Sequence, residues 1–307
     1  MTGAHDQAPE SQPLIGQMVE VWGRLVHYHR VGTGHPVLLL HGNGSLGEEI
    51  WRSVAPERGI SWIAPDRPGY GFSAALPPDR YGPTGGADWA AAFASALGIG
   101  RMVVAAHSLG CASALCLAAR HRDRVEGLVL LSPFCRPTPH RWMLGLRAAV
   151  MPGIGPLIRH LILPLALPMF RTRILQAMNA PNKVPATLLD FPVSHAAQPQ
   201  AVLTTAAELR QFNAGMRRSF AGTRLSLPVV TVFGAEDQTS DPDWHLPWLR
   251  RHVANLDCRV LPGVGHALHH ARPGIVAEAV RSVIEAGAPT AGVHGSDAPM
   301  RHRPAGE

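Results

Sequence analysis

Lysine is almost missing from this sequence: Lys183 is the only one among 307 residues. The other basic side chains are arginines, scattered rather than run together. The net charge of +6 and isoelectric point near 9.8 therefore read as a solvated basic surface rather than a nucleic-acid groove, which needs a contiguous basic stripe. Cysteine is sparse too. Cys111, Cys116, Cys135 and Cys258 form neither CxxC pairs nor a dense framework, which argues against structural zinc and a disulfide scaffold and leaves them as small buried apolar residues. No long apolar run is uninterrupted. The most apolar stretch, "MPGIGPLIRHLILPLALPMF" at 151–170, carries Pro152, Pro156, Pro164 and Pro168 with Arg159 and His160, so it reads as a broken apolar cover and not as an integral membrane span. The opening "MTGAHDQAPESQPLIGQ" has no basic segment followed by an apolar core, so no secretory signal is expected and the expected location is cytoplasmic.

What is present is ordinary globular composition: 46% apolar residues against 16% charged, with mean hydropathy near zero, enough to bury one large core with an insert. Two ends lack apolar periodicity. Residues 1–18 are expected to be a loose N-terminal tail and 287–307 a disordered C-terminal one.

Between them, apolar and polar side chains alternate at 19–31, "VEVWGRLVHYHRV", around Gly23, the pattern of a half-buried hairpin. A series of short apolar-rich runs that read as buried strands follows: "PVLLLHG" at 36–42, "ISWIAPD" at 60–66, "RMVVAAH" at 101–107, "VEGLVLLSP" at 125–133, "PVVTVFG" at 228–234 and "CRVLPG" at 258–263. Strands apolar on both faces belong inside a covered, mostly parallel sheet. Helical segments lie between several of them, at 87–98, 109–122 and 273–287. The alternation predicts an α/β protein whose core is 19–133 and 225–286. The interval 134–224 breaks it, being rich in Pro, Arg, Met and Leu, and reads as a helical cap over the carboxyl edge of the sheet, where open α/β folds bind ligands.

"VVAAHSLGCASAL" at 103–115 puts Ser108 on a strand-to-helix turn between the small residues Ala106 and Gly110. The free amides and positive end of the following helix point at whatever sits on that hydroxyl. A nucleophilic serine needs a base within reach and a carboxylate to orient the base. "VFGAEDQTS" places Asp237 after one apolar strand and "LPGVGHALHH" places His266 after the next, so both fall at the carboxyl edge that carries Ser108. The glycine-rich loop "LLLHGNGS" offers the Asn43 N–H, with Gly44 as an alternative, to pair with the Leu109 N–H as an oxyanion hole worth roughly 3 kcal/mol per donor.

Taken with "DRPGYGFS" at 66–73, these motifs resemble the α/β-hydrolase fold with a helical cap, over about residues 19–286. Ala106 departs from the pattern, which has glycine at both flanks. The resemblance implies an acyl-serine mechanism with Ser108, Asp237 and His266 as catalytic residues, no metal or organic cofactor, and no catalytic role for "DRPGYGFS". The expected activity is hydrolysis of a moderately apolar small-molecule carboxylic ester. A perhydrolase, amidase, carbon–carbon bond hydrolase or acyltransferase would keep the same triad, whereas a dehalogenase or epoxide hydrolase would want a carboxylate in place of Ser108. A non-catalytic ligand-binding protein on the same fold is the alternative of another class.

Plainer roles compete for each residue. Ser108 has the chemistry of a helix N-cap. His269 or His270 could replace His266 as base, and Glu236, Asp241 or Asp243 could replace Asp237 or simply cap a turn. His41 is expected to hydrogen-bond the oxyanion loop and His107 to pack beside the serine. Trp51 and Trp142 are expected in packing, and Arg141, Arg147, Arg159, Arg171 and Arg173 in solvent.

Overall fold

A computed structural model describes residues 16–139 and 144–287. The readings of residues 1–15, Arg141, Trp142 and 288–307 lie outside the described residues. Eight strands form one sheet: β1 (Gln17–Val21), β2 (Arg24–Val31), β3 (Gly34–Leu40), β4 (Gly59–Pro65), β5 (Met102–His107), β6 (Val125–Leu131), β7 (Leu225–Gly234) and β8 (Val253–Leu261). Their order is β1-β2-β4-β3-β5-β6-β7-β8, antiparallel for β1/β2 and β2/β4 and parallel for every pair after that. The helices are α1 (Gly47–Trp51), α2 (Gly82–Ala96), α3 (Gly110–Arg120), α4 (Leu144–Val150), α5 (Ile154–Leu157), α6 (Leu163–Asn179), α7 (Val193–Ala196), α8 (Pro199–Ser219), α9 (Pro242–His252), α10 (Leu268–Ala271) and α11 (Ile275–Gly287).

The continuous apolar runs are explained by burial on both faces. Along β3, Leu38 and Leu40 pack into one core with α2, α3 and α8, while Val37 and Leu39 pack into a second core with α11. The same split divides β5 and β6, so the apolar side chains at 37–40, 102–106 and 128–131 all face protein, the larger ones contributing roughly 1.5–3 kcal/mol each on burial. Strands packed on both faces and paired on both sides hold the residues at their ends in place.

Several expectations change. The tail assigned to 1–18 gives up Gln17 and Met18, which pair with Tyr28 and His27 in β1; the Tyr28 hydroxyl donates to Gln17 Oε1 at 2.6 Å. The strand at 258–263 starts earlier, at Val253, and is the sheet edge, so it is largely exposed rather than buried and carries Asp257 and Arg259. The helix expected from Ala87 begins at Gly82, because Pro83 in its first turn needs no amide donor. The prolines of 151–170 do not break the apolar segment: α5, a π-helical turn at Ile158–Ile162 and α6 run together as a 26-residue helix, Ile154–Asn179. Pro164 falls in the first turn of α6, and Pro168 alone lies in its interior. Arg159, expected in solvent, is buried with its guanidinium on the Ala149 carbonyl. Cys111, Cys116 and Cys135 are buried as expected, and Cys258 is half-buried on the edge strand.

Helix α8 does not behave like a separate lid. Its Ala207, Leu209, Phe212 and Met216 are buried in the same core as α2 and α3.

Candidate active site

β5 ends at His107 and α3 starts at Gly110, so the chain must reverse within two residues. It does so through Ser108, which sits at φ +53°, a left-handed conformation that a side-chain-bearing residue adopts only under constraint. The constraint is visible. Ser108 N donates to Leu131 O at 3.0 Å, and its carbonyl accepts from Cys111 N and Phe134 N, both at 3.1 Å. Gly110 is required by close approach, since a Cβ there would stand 2.6 Å from His41 O and 2.7 Å from Leu40 O. Ala106, in place of the usual first glycine, is fully buried between β3 and β6 and is tolerated.

The Ser108 hydroxyl, half-buried, donates to His266 Nε2 at 3.0 Å, and His266 Nδ1–H donates to Asp237 Oδ2 at 2.8 Å. Residues separated by 158 and 29 positions thus form one hydrogen-bonded chain. Asp237 is buried, which by itself would raise its pKa. The His266 hydrogen bond and charge, with the Ser240 and Thr239 amides on Oδ1, outweigh burial and hold the carboxyl below its ordinary value. Asp237 is therefore ionised and fixed, able to orient the imidazole and to stabilise positive charge on it. Asp241 instead caps α9, accepting from Asp243 N at 2.8 Å.

His269 and His270 do not reach Ser108. Both are buried, and their Nε2–H groups donate to one oxygen of Glu49, at 2.7 and 2.9 Å. These three residues are the group with metal-ligand spacing among the described residues; here the donor set is held together by its own hydrogen bonds. Burial dominates at His269 and lowers its pKa, so it is a neutral donor, while the two imidazoles outweigh the burial of Glu49 and keep its carboxyl well below the usual range. His107, also buried and neutral, donates from Nε2 to the His266 carbonyl at 3.1 Å and so steadies the loop that carries the base.

The loop after β3 lies against the serine. A Cβ on Gly42 would come within 3.2 Å of Ser108 Cβ. Asn43 follows half-buried and Gly44 exposed, and Leu109 is the residue that opens α3. His41 Nδ1–H donates to Gly42 O at 2.8 Å, and its Nε2 accepts from Arg67 N at 2.9 Å. Complete burial, reinforced by the Arg67 charge, drops the His41 pKa to about 3.

Sequence reasoning missed what braces this loop. Arg67 forks onto Glu208 of α8 in a buried ion pair, and a guanidinium nitrogen also reaches Gly42 O at 3.1 Å. The same carboxylate accepts from Tyr70 OH at 2.9 Å and Asn43 Nδ2 at 2.8 Å. Asp66 pins the neighbouring turn by accepting from Gly47 N, His27 Nδ1 and Phe72 N. Asn182, beyond α6, donates to Gly263 O and accepts from Gly265 N, tying the helical segment to the histidine loop. Only "DRPGYGFS" was a visible signal, and it marked Asp66, Arg67 and Tyr70 as a turn without revealing their partner. Trp51 stacks on His29 and lines a groove with Arg52, Thr187 and Asp190 that includes neither Ser108 nor His266.

Comparison with known proteins adds a family and several relatives. Residues 35–273 match the family described as alpha/beta hydrolase fold. A 2-hydroxymuconate semialdehyde hydrolase from Pseudomonas sp. (strain CF600) is 35% identical over 128 residues, 40% of this chain and 45% of that protein. A haloalkane dehalogenase from Sphingobium indicum is 35% identical over 127 residues, 39% of this chain and 43% of that protein. The chain thus spans less than half the length of these curated relatives. An epoxide hydrolase from Vigna radiata has the same fold, with a TM-score of 0.70 over 88% of this chain and 98% of that one at 21% identity.

Proposed function

The chain belongs to the α/β-hydrolase fold family, and we propose that it is a serine hydrolase that cleaves a carboxylic ester of a moderately apolar small molecule through an acyl-serine intermediate. One observation carries the reading: the Ser108, His266 and Asp237 side chains form a continuous hydrogen-bonded chain whose serine stands on a left-handed turn.

In this reading Ser108 Oγ attacks the ester carbonyl as its proton passes to His266 Nε2. Asp237 stabilises the imidazolium that forms. The oxyanion of the tetrahedral intermediate meets the Leu109 and Asn43 amides, each donor contributing roughly 3 kcal/mol. His266 then protonates the departing alcohol, water attacks the acyl-serine with His266 as base, and the acid leaves. Halide or epoxide opening, the activities named for some relatives, is not supported, because Ser108 occupies the position where that chemistry calls for a carboxylate.

A second reading has specific support. The relatives that share Pseudomonas origin are named as hydrolases of 2-hydroxymuconate semialdehyde and 2-hydroxy-6-oxo-2,4-heptadienoate, in which a carbon–carbon bond beside a carbonyl is broken, and the same triad serves that reaction. The test is labelling by a fluorophosphonate probe with parallel turnover of p-nitrophenyl esters of increasing chain length and of 2-hydroxymuconate semialdehyde. Labelling and ester turnover, both lost in Ser108→Ala, support the proposal. Turnover of the semialdehyde alone selects the second reading, and a folded wild-type protein with neither labelling nor turnover points to a binding protein.

A further inference from the structure

We propose that the outward face of the helix Ile154–Asn179 docks on an anionic lipid surface, lying in the plane of the interface. This helix is long and apolar enough, by length and composition, to cross a membrane, yet only 6% of its most apolar window is buried in the protein. Its buried residues lie toward the two ends, Gly155 and Arg159 near the start and Leu175 and Asn179 at the close, and anchor it to the rest of the molecule there. Along it a stripe at helical spacing, Ile154, Leu157, Leu161, Leu165 and Met169, is exposed, with Leu165 at 65% and Met169 at 79% exposure. A contiguous apolar stripe of this size is not left in water without a partner.

The geometry excludes a spanning helix. Arg159, near its start, bonds the Ala149 carbonyl, and the segment just past Asn179 is tied to the histidine loop through Asn182. A helix anchored to the protein at both ends cannot thread a bilayer and can immerse only its exposed stripe, as interfacial helices do.

The charge around it identifies the surface. Between Glu126 and Asp190 there is no acidic residue, while seven arginines and lysines occur there. Arg147, Arg173 and Lys183 are exposed around the stripe. A basic rim around an apolar face complements anionic headgroups over acyl chains. It also opposes a second copy of the chain, because two-fold pairing would bring the same cations together.

Binding is read without reference to activity, so the outcome is independent of the proposed reaction. The full-length protein is co-sedimented with vesicles of phosphatidylcholine and with vesicles containing phosphatidylglycerol. The bound fraction is expected to be at least tenfold higher on the anionic vesicles and to fall at 0.5 M NaCl. The double variant Leu165→Glu/Met169→Glu is expected to lose at least tenfold in binding, and Arg147→Glu/Arg173→Glu to drop to the level seen on phosphatidylcholine. Both alter exposed side chains only, and unchanged circular dichroism checks that they fold. The proposal is overturned by equal binding to neutral and anionic vesicles, by no binding to either, or by a variant that binds like wild type. A dimer in light scattering that Leu165→Glu/Met169→Glu dissociates would also overturn it, assigning the face to a second copy.

Discussion

Glu208 Oε2 lies 2.8 Å from Asn43 Nδ2, although 165 residues separate them in sequence. Through this contact a helix of the 134–224 interval holds the loop whose amide is proposed to face the oxyanion. Arg67 and Tyr70 complete the junction, so the loop's position depends on charge balance at a buried carboxylate.

Removing that charge should therefore be felt twice. Glu208→Gln leaves the buried Arg67 guanidinium without its counter-ion, an expected loss of about 3 kcal/mol or more in urea unfolding. The slackened Asn43 loop is expected to lower kcat roughly tenfold with little change in KM, since only the transition state uses the amide. Loss of stability with kcat intact would separate the junction from the chemistry.

Asp237→Asn keeps the shape of the side chain but presents an amide to His266 Nδ1 and favours the wrong tautomer. Ester turnover is expected to fall by about 10⁴-fold with folding retained. A loss below tenfold, measured by steady-state kinetics, would show that another carboxylate orients the base.

His266→Gln and His269→Gln are expected to part company. The first abolishes turnover, because it removes the base on Ser108. The second removes one donor from the buried Glu49 carboxylate, costing about 1.5–3 kcal/mol in thermal or urea unfolding while kcat stays within a few-fold of wild type.

Acid sensitivity follows from the buried imidazoles. Burial first, with nearby Arg67, lowers His41 to about 3, and burial lowers His245 to about 4 despite Asp237 and Asp241. Both are neutral in the folded protein at pH 5, while their unfolded counterparts, near 6.5, are protonated. The unfolded state binds more protons, so the stability these groups provide is full above pH 6.5 and is lost as pH falls toward 4 or 3. These two account for about 2–3 kcal/mol per pH unit near pH 5. Unfolding free energies from urea titrations at pH 6 and 5 should fall by at least that slope, since buried His107 and His269 add to it, and His41→Asn should reduce it by about 1.4 kcal/mol per pH unit.

Ser108, Asp237 and His266 were legible because each follows an apolar strand, and a covered parallel sheet brings consecutive strand ends to one edge. Their hydrogen bonds are the local consequence of that register. The Arg67–Glu208 pair had no comparable signal: α8 reads as an ordinary amphipathic helix, and nothing near Glu208 says that its carboxylate points inward to a cation 141 positions away. Arg159 misled for the same reason, since its destination is a backbone carbonyl, which has no letter in the sequence. The prolines at 156, 164 and 168 misled differently. Pro156 occupies a first turn, whereas Pro164 and Pro168 lie inside the continuous helix, Pro164 just after a π-helical turn that changes the bonding pattern there.

Because Phe212 and Met216 of α8 are embedded beneath α2 and α3, most of this helix belongs to the core of the sheet, although Ala201 near its start packs with Leu175 and Phe191 of the segment that leads into it. A chimera that transplants the region between β6 and β7 from a relative should therefore place its downstream junction before Pro199. Cutting after Ser219 would import a foreign wall into the core and discard the carboxylate on which Arg67 closes.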